Sequence, residues 1–442
     1  MKVSFVKLLS FNTFFTFLIY LFMFVLFPEI SNYFNCNSTI ENKDPIFNIP
    51  YLIPISCDLE TYLVGVNDFS SIIEFDYAYQ HRPLYILYIK VLYTVLNIII
   101  QNQLILNFSS FLLGHILIVS LSVFIFIKTL EIIKISKNNY KFIFLIAILF
   151  LINPIIKFGL FDSSHQSLIL LQFSISFYFL RRKITNDMLI YFYAFLIGVI
   201  SLANSAMLLT ILFLIFHKYK KLNNILSNFY KLIIIGFFLI APSLIWNLYI
   251  SSQGYTPYNS SIQYWYQFVW IYGYIFGDFE YINFNYDFDE YFCMSIPLFL
   301  KCYISDFLKT LIYLSLPIFV SIMNLNILRK NSERKVLDLY KDLFLIFIIL
   351  FSFWAFIGWY PPLRFNLYSV GFLVTFLLSI QFISLPWRKI VLPEGAAIFL
   401  YYLFLNHWNY LDVINFNFGI LVSYIIILLV LFNFISFKNK LI

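Results

Sequence analysis

Long apolar runs separated by short polar segments dominate the hydrophobic pattern of this chain. Most of the runs extend over about 17–25 residues, the length that an α-helix needs to cross the hydrocarbon core of a bilayer. About twelve runs are predicted as spans, at 8–28, 104–127, 141–159, 166–180, 188–204, 205–217, 229–250, 305–328, 341–358, 366–385, 389–405 and 417–436. The pattern therefore predicts an all-α, polytopic membrane helix bundle in which residues 1–442 form one integral membrane domain.

Two longer polar segments interrupt these runs, at 29–82 and 251–304. The first is rich in carboxylates, and the second is rich in Tyr, Trp, Asn and Asp. Lys2 and Lys7 precede the first span, so the positive-inside rule places the N-terminus in the cytoplasm and both long segments on the extracytoplasmic face. We expect both outer loops to be partly helical.

The run at 84–100 is ambiguous by length alone. If it crossed, the next span at 104–127 would leave a lysine cluster on the outer face, which the positive-inside rule disfavours; the cluster comprises Lys128, Lys134, Lys137 and Lys141. We therefore predict that 84–100 is an interfacial helix that lies along or dips into the outer interface, within a first outer loop of residues 29–103. Lys90 suits that placement better than the middle of a membrane.

Composition excludes several classes of protein. The chain is 62% hydrophobic and 12% charged, with a mean hydropathy of +0.85, and a soluble surface needs more polar cover than this. The formal net charge of +7 comes from basic residues scattered through short loops, so no nucleic-acid partner is expected.

All four cysteines fall in the two predicted outer loops, at Cys36, Cys57, Cys293 and Cys302. An oxidising outer compartment makes disulfides plausible, and the local pairing Cys36–Cys57 with Cys293–Cys302 would close each loop on itself. Free thiols are the alternative. A metal site is not expected, because the chain has no CxxC and no histidine close to these cysteines.

Asp58 and Glu60 are the candidate catalytic carboxylates of the first outer loop. A carboxylate held near the membrane surface has its pKa raised by desolvation, which suits a general base acting on a hydroxyl. The plain alternative is a pair of solvated loop carboxylates, and composition alone favours it.

Cations on the outer face are scarce, and they are the candidates for binding a phosphate. Arg364 stands in an aromatic, proline-bounded turn, and Arg82 and Lys301 lie in or beside the two long loops. A guanidinium fork suits phosphate, although an interfacial arginine that only snorkels is the alternative. His165 is a further candidate for orienting the phosphate.

The order of these parts resembles the GT-C superfamily of polyprenyl-phosphate-sugar-dependent membrane glycosyltransferases. Four short motifs carry the resemblance: Asp58-x-x-x-Tyr62 after the first span, His81-Arg82-Pro83-Leu84-Tyr85 at the start of a non-crossing helix, Asn153-Pro154 with the turn Asp162–Gln166, and Trp359–Phe365 before a late span. The layout covers most of the chain. In the family the motif often begins with adjacent acids, whereas here Leu59 separates Asp58 from Glu60.

The resemblance implies a GT-C-like fold and an inverting transfer of a hexose or pentose from a polyprenyl phosphate or diphosphate to an acceptor hydroxyl. It implies that Asp58 is the base, with Glu60 in reserve, and its motifs contain the candidate sugar contacts Tyr62 and Asp162. Tyr264 and Trp265 are further candidates, because the aromatic residues of 251–304 suit stacking on sugar rings; an interfacial aromatic belt is the alternative. The implied partners are a lipid-linked sugar donor, membrane lipids and a glycan, lipid or protein acceptor, without a cofactor. The implied location is a bacterial plasma membrane, crossed many times, with an extracytoplasmic active face.

Two other classes stay open. A glycan polymerase or ligase of the O-antigen type also has about twelve spans, but such proteins use arginine-rich outer loops, and 251–304 has no arginine. A lipid or sugar transporter would place ionisable residues in the middle of spans. The sequence indicates none there apart from Lys231 and Lys309, both near span ends.

Overall fold

The computed structural model describes residues 4–26, 59–74, 80, 82–132, 140–151, 167–182, 186–204, 208, 215, 228–257, 338 and 341. The chain divides into two compact units, 1–258 and 259–442. The described helices all belong to the first unit: α1 (Phe5–Leu26), α2 (Leu59–Asn67), α3 (Ser71–Glu74), α4 (Pro83–Asn97), α5 (Gln103–Ile132), α6 (Tyr140–Leu151), α7 (Leu168–Arg181), α8 (Asp187–Ser201) and α9 (Phe229–Ser252).

The described residues form helices and no β-strand, which confirms the all-α prediction for this part of the chain. The predicted run at 84–100 is helix α4, and helices α2 and α3 lie inside the predicted first outer loop. The predicted runs at 205–217 and beyond residue 304 fall outside the described residues, apart from residues 208, 215, 338 and 341.

Two of the described helices are long and apolar enough to cross a membrane, judged by length and composition. They are Ile105–Ile132, within α5, and Phe229–Ser252, which is α9. The first is largely covered by neighbouring helices, whereas α9 leaves much of its apolar surface exposed. These two helices support a membrane location.

The direction of neighbouring helices follows from paired contacts. Phe5 packs on Phe124 and Asn12 donates to Ser120, so α1 runs antiparallel to α5. The bond between His115 and Ser167 and the ring contact between Phe126 and Phe177 make α5 and α7 parallel.

A close contact between α8 and α9 also fixes a parallel pair. Lys231 pairs with Asp187 at 2.7 Å near the start of both helices. Further along, a Cβ added to Gly198 would lie 2.4 Å from the Leu239 carbonyl oxygen and 3.0 Å from Pro242. Only glycine lets the two backbones approach this closely.

Helix α4 forms an antiparallel hairpin with the first half of α5. Tyr85 meets His115, the Tyr88 hydroxyl donates to the Gly114 carbonyl, and Gln103 donates to the Tyr93 hydroxyl. The helix begins at Pro83, where the missing N–H of proline costs nothing because the first-turn N–H groups have no helical partner.

Helix α7 begins, and helix α8 ends, level with the start of α4. The Leu84 N–H donates to the Leu202 carbonyl just past the end of α8, and Ser167, the residue before α7, meets His115. From that level α5 continues back to Gln103, a rise of ~18 Å at 1.5 Å per residue. Helices α2 and α3 pack beside the first turns of the α4–α5 hairpin, where Tyr62, Val66 and Ile72 join the same core.

Candidate functional site

Two predicted site residues have described side chains, Tyr62 on α2 and Arg82 just before α4. Glu60 lies in the first turn of α2, where only its backbone is described. The remaining predicted site residues lie outside the described residues: Asp58, Asp162, His165, Tyr264, Trp265, Lys301 and Arg364, with the cysteines Cys36, Cys57, Cys293 and Cys302. Their roles and pairing stay predictions.

The structure joins Tyr62 and Arg82 directly. Arg82 Nη1 donates to the Tyr62 hydroxyl oxygen over 2.9 Å. Tyr62 is 1% exposed and Arg82 is half-buried. A guanidinium has five N–H donors in a rigid fork and stays charged, so it combines a contact to a phenol with the capacity to bind an anion. The bond fastens helix α2, which follows Asp58 in the sequence, to the start of α4.

An aromatic core holds this pair in place. The Tyr62 ring meets the Tyr85 ring edge to face at 5.3 Å and the Phe111 ring at 6.4 Å. These rings belong to a core that α2, α3, α4 and α5 share with the first turn of α7. Because such edge-to-face pairs have preferred geometry, they orient the Tyr62 hydroxyl as well as burying apolar area.

A buried polar chain continues from Tyr85 towards α7. The Tyr85 hydroxyl lies 3.4 Å from His115 Nε2, and His115 Nδ1 lies 2.7 Å from the Ser167 hydroxyl oxygen. His115 is 1% exposed and Ser167 is fully buried. The chain links α4, α5 and the residue that follows the predicted turn of Asp162 and His165.

His115 corrects the expectation that no ionisable residue lies in the middle of a span. It stands between apolar turns of α5, inside the predicted span 104–127. The available signal was a histidine within an apolar run, since ionisable residues inside membrane segments are rare and commonly functional. Of the two lysines expected near span ends, Lys231 pairs with Asp187, and Lys309 lies outside the described residues.

Gln80 ties the first predicted outer loop to the end of α9. Trp246 Nε1 donates to the Gln80 carbonyl over 2.8 Å, and Gln80 Nε2 donates to the carbonyls of Ile73 at 3.1 Å and Thr256 at 3.5 Å. The Gln80 side chain is buried at 2% exposure. The end of the first predicted outer loop and the beginning of the second are therefore in contact.

Charged and aromatic side chains surround the turn between α2 and α3. The Ser70 hydroxyl and backbone N–H donate to the Asp68 carboxylate at 2.6 and 3.0 Å, and these bonds hold the pKa of that carboxyl below its usual value. Lys90 Nζ lies 6.0 Å from the centre of the Phe69 ring, which also packs against Trp246. Asp68 therefore stays ionised at neutral pH.

The Arg82 guanidinium is a group that could hold an anion beside aromatic and hydrogen-bonding side chains. No group of three or more His, Cys, Asp or Glu side chains that would hold a metal occurs among the described residues. No family model, no curated protein and no solved structure matches this chain.

Proposed function

We propose that the protein is a multi-pass membrane glycosyltransferase that moves a sugar from a polyprenyl-phosphate or diphosphate carrier to an acceptor hydroxyl on the extracytoplasmic face. The observation that carries this proposal is the hydrogen bond from Arg82 to Tyr62. One predicted motif ends in Tyr62, and another, separate in the sequence, contains Arg82. This hydrogen bond joins the two motifs in one buried cluster.

The helix directions support the proposed topology. If α1 and α5 both cross the membrane, their antiparallel contacts require an even number of crossings in the chain between them. A single crossing by α4 would make them parallel. Helix α4 also has 15 residues, which extend ~22 Å, less than the ~30 Å of a hydrocarbon core. Both observations favour a helix that stays on the outer side.

The contacts at the start of α4 support a single outer site. The start of α4, the end of α8 and the end of α9 lie together through Leu84, Leu202, Gln80 and Trp246. With the N-terminus in the cytoplasm, all of these ends lie in the outer half of the bundle. A recess there would admit a lipid phosphate from the leaflet beside it and exclude bulk water, which strengthens charge–charge interactions.

The proposed reaction is a single displacement at the anomeric carbon. Asp58, or Glu60 in reserve, accepts the proton of the acceptor hydroxyl while the oxygen forms a bond to that carbon. The bond from the carbon to the phosphate oxygen breaks, and the polyprenyl phosphate leaves with the electron pair. Cations stabilise the negative charge that develops on the leaving phosphate.

The proposed roles of the other residues follow from their chemistry. Arg364, with Arg82, Lys301 and His165, binds the carrier phosphate. Asp162, Tyr264 and Trp265 contact sugar or acceptor, whereas Tyr62, the fourth predicted contact, takes a positioning role. Tyr62 is buried and accepts from Arg82, so its contribution runs through the position of the Arg82 guanidinium.

A transfer assay on the purified protein tests this function. Vesicles containing the protein receive a panel of polyprenyl-phosphate sugars with radiolabelled sugar, together with envelope lipid or glycan extract as acceptor. The expected result is acceptor-dependent transfer of label from one donor, lost in Arg82→Gln and retained in Arg182→Gln. Arg182 is the matched control because it is an exposed arginine with tyrosine partners on the far end of α7.

One observation favours a transporter as the second candidate. His115 is a buried ionisable group inside α5, as transport pathways require. Vesicles that move a labelled lipid-linked sugar from one leaflet to the other, with no acceptor and no cleavage of the sugar–phosphate bond, would support transport instead of transfer.

A further inference from the structure

An apolar stripe runs the length of α4 on the side away from the core. Leu87, Val91 and Val95 recur every fourth residue, which places them on one face of the helix, and Ile99 continues this spacing in the turn that follows Asn97. Their exposures are 44%, 55%, 55% and 77%. The opposite face, with Tyr85, Ile86 and Ile89, is buried. We call these four exposed residues the α4 stripe.

The α4 stripe is uncharged along its whole length. The neighbouring Thr94 hydroxyl donates to the Lys90 carbonyl, so its polarity is satisfied within the helix. Lys90 itself turns towards the Phe69 ring at 6.0 Å. The hairpin then ends in three exposed amide side chains, Gln101, Asn102 and Gln103. The surface is apolar along the helix and polar only at its tip.

The length of the hairpin matches one leaflet of a bilayer. From the level of His115 to Gln103 the hairpin rises ~18 Å, while half of a hydrocarbon core is ~15 Å thick. An apolar stripe of this length in water would be a large exposed patch, which soluble surfaces avoid. With the amides of the tip among the headgroups, the stripe faces acyl chains.

We propose that the α4 stripe is a lipid-contact surface whose partner is the acyl chains of the outer leaflet. The start of α4 then lies at about half the depth of the membrane and the helix rises to the outer headgroups, with its buried face against the core and its stripe facing lipid. This inference rests on the membrane location of the chain and not on glycosyl transfer. It can therefore be correct or wrong independently of the proposed reaction.

Carbene labelling of the unmodified full-length protein in phosphatidylcholine vesicles tests this surface. A diazirine confined to the acyl region is photolysed in one sample and a water-soluble diazirine in another, and fragment mass spectrometry assigns the label to residues. The positive control is the exposed face of α9, at Ile233, Phe237 and Ile240. The negative control is the buried face of α4, at Ile86 and Ile89.

The expected result is that the lipid-confined reagent labels the stripe as strongly as it labels α9, and several-fold above Ile86 and Ile89. Labelling of the stripe by the water-soluble reagent alone would overturn the proposal in favour of a solvent-facing helix. Labelling by neither reagent while α9 is labelled would also overturn it, because another protein surface would then cover the stripe. Neither result bears on whether the sugar-transfer assay succeeds.

Discussion

The phenol of Tyr62 and the guanidinium of Arg82 form the central contact of the described site. The pairing places a permanent positive charge beside an aromatic core that buries Tyr62 to 1% exposure. A hydrogen bond to a charged donor contributes more to stability than one between neutral groups. The contact therefore stabilises the fold and also positions the Arg82 guanidinium in the candidate site.

Removal of the Tyr62 hydroxyl tests that contact. In Tyr62→Phe the ring still packs on Tyr85 and Phe111, but Arg82 loses an acceptor, so we expect a loss of about 1–2 kcal/mol in stability. Thermal unfolding in detergent should show a lower Tm. Tyr93→Phe is the matched control, because its hydroxyl accepts from the exposed Gln103 and should cost little. The same Tm for both variants and the parent would contradict a stabilising role of the hydrogen bond between Arg82 and Tyr62.

Asp68 offers a prediction on pH dependence. Its carboxyl has a lowered pKa because the Ser70 hydroxyl and N–H donate to the charged form. The resulting stabilisation is present above the usual pKa of an aspartate and is lost as the pH falls through the lowered value. We expect the wild type to have a higher Tm than Asp68→Asn at pH 7 and this difference to shrink as the pH is lowered below the usual pKa of an aspartate. A Tm difference between wild type and Asp68→Asn that does not change with pH would contradict a stabilising effect of the Asp68 charge.

At the scale of elements, the pair α8 and α9 depends on a glycine. Gly198→Ala would bring a methyl group within 2.4 Å of the Leu239 carbonyl oxygen, so the helices must separate. We expect a loss of about 1–3 kcal/mol, which is usual for overpacking. Gly236→Ala is the control, since nothing lies within 4 Å of its added Cβ and alanine favours the helix by up to ~1 kcal/mol. Similar Tm values for the two variants would contradict the close approach of α8 and α9 at Gly198.

Helix existence was largely predictable from the hydrophobic pattern, because apolar runs of span length have few alternatives. The predicted run 229–250 is α9, and 104–127 lies within α5. Helix lengths were less predictable. The run 188–204 gives α8, which ends at Ser201 where the Leu202 carbonyl turns to accept from Leu84, a tertiary contact that no local pattern encodes.

The site was predictable only in part. Motif spacing singled out Tyr62 and Arg82 separately, but their contact depends on how α2 packs on α4. His115 was missed although a histidine within an apolar run was a usable signal. Its pairing with Ser167 had no signal in the sequence, because it depends on the parallel packing of α5 and α7. Gln80 and Trp246 are far apart in the sequence and meet through the fold alone.

At the scale of the whole molecule, the topology makes a prediction about the lysine cluster that follows α5. The antiparallel contacts of α1 and α5 put the end of α5 on the side where the chain begins. A cysteine placed at Lys137 should therefore react with a membrane-impermeant thiol reagent only after the cytoplasmic side is opened. Reaction in intact cells would contradict both the non-crossing helix and the twelve-span layout.

The predicted base Asp58 immediately precedes Leu59, the first residue of α2, in the sequence. Asp58→Asn nearly preserves the side-chain volume while it removes the proton acceptor. Glu60→Gln makes the same change at the reserve carboxylate. The pair separates a catalytic carboxylate from one that only supports the helix.

The transfer rate of Asp58→Asn, measured beside donor binding in the vesicle assay, tests the central claim most directly. The predicted result is a loss of ~100- to 10,000-fold in the rate, with donor binding largely intact, whereas Arg364→Ala weakens both because a phosphate contact acts before and during the reaction. Loss in Glu60→Gln alone would move the base to Glu60. Near-normal transfer by both carboxylate variants would contradict a catalytic role for the loop that precedes and includes α2.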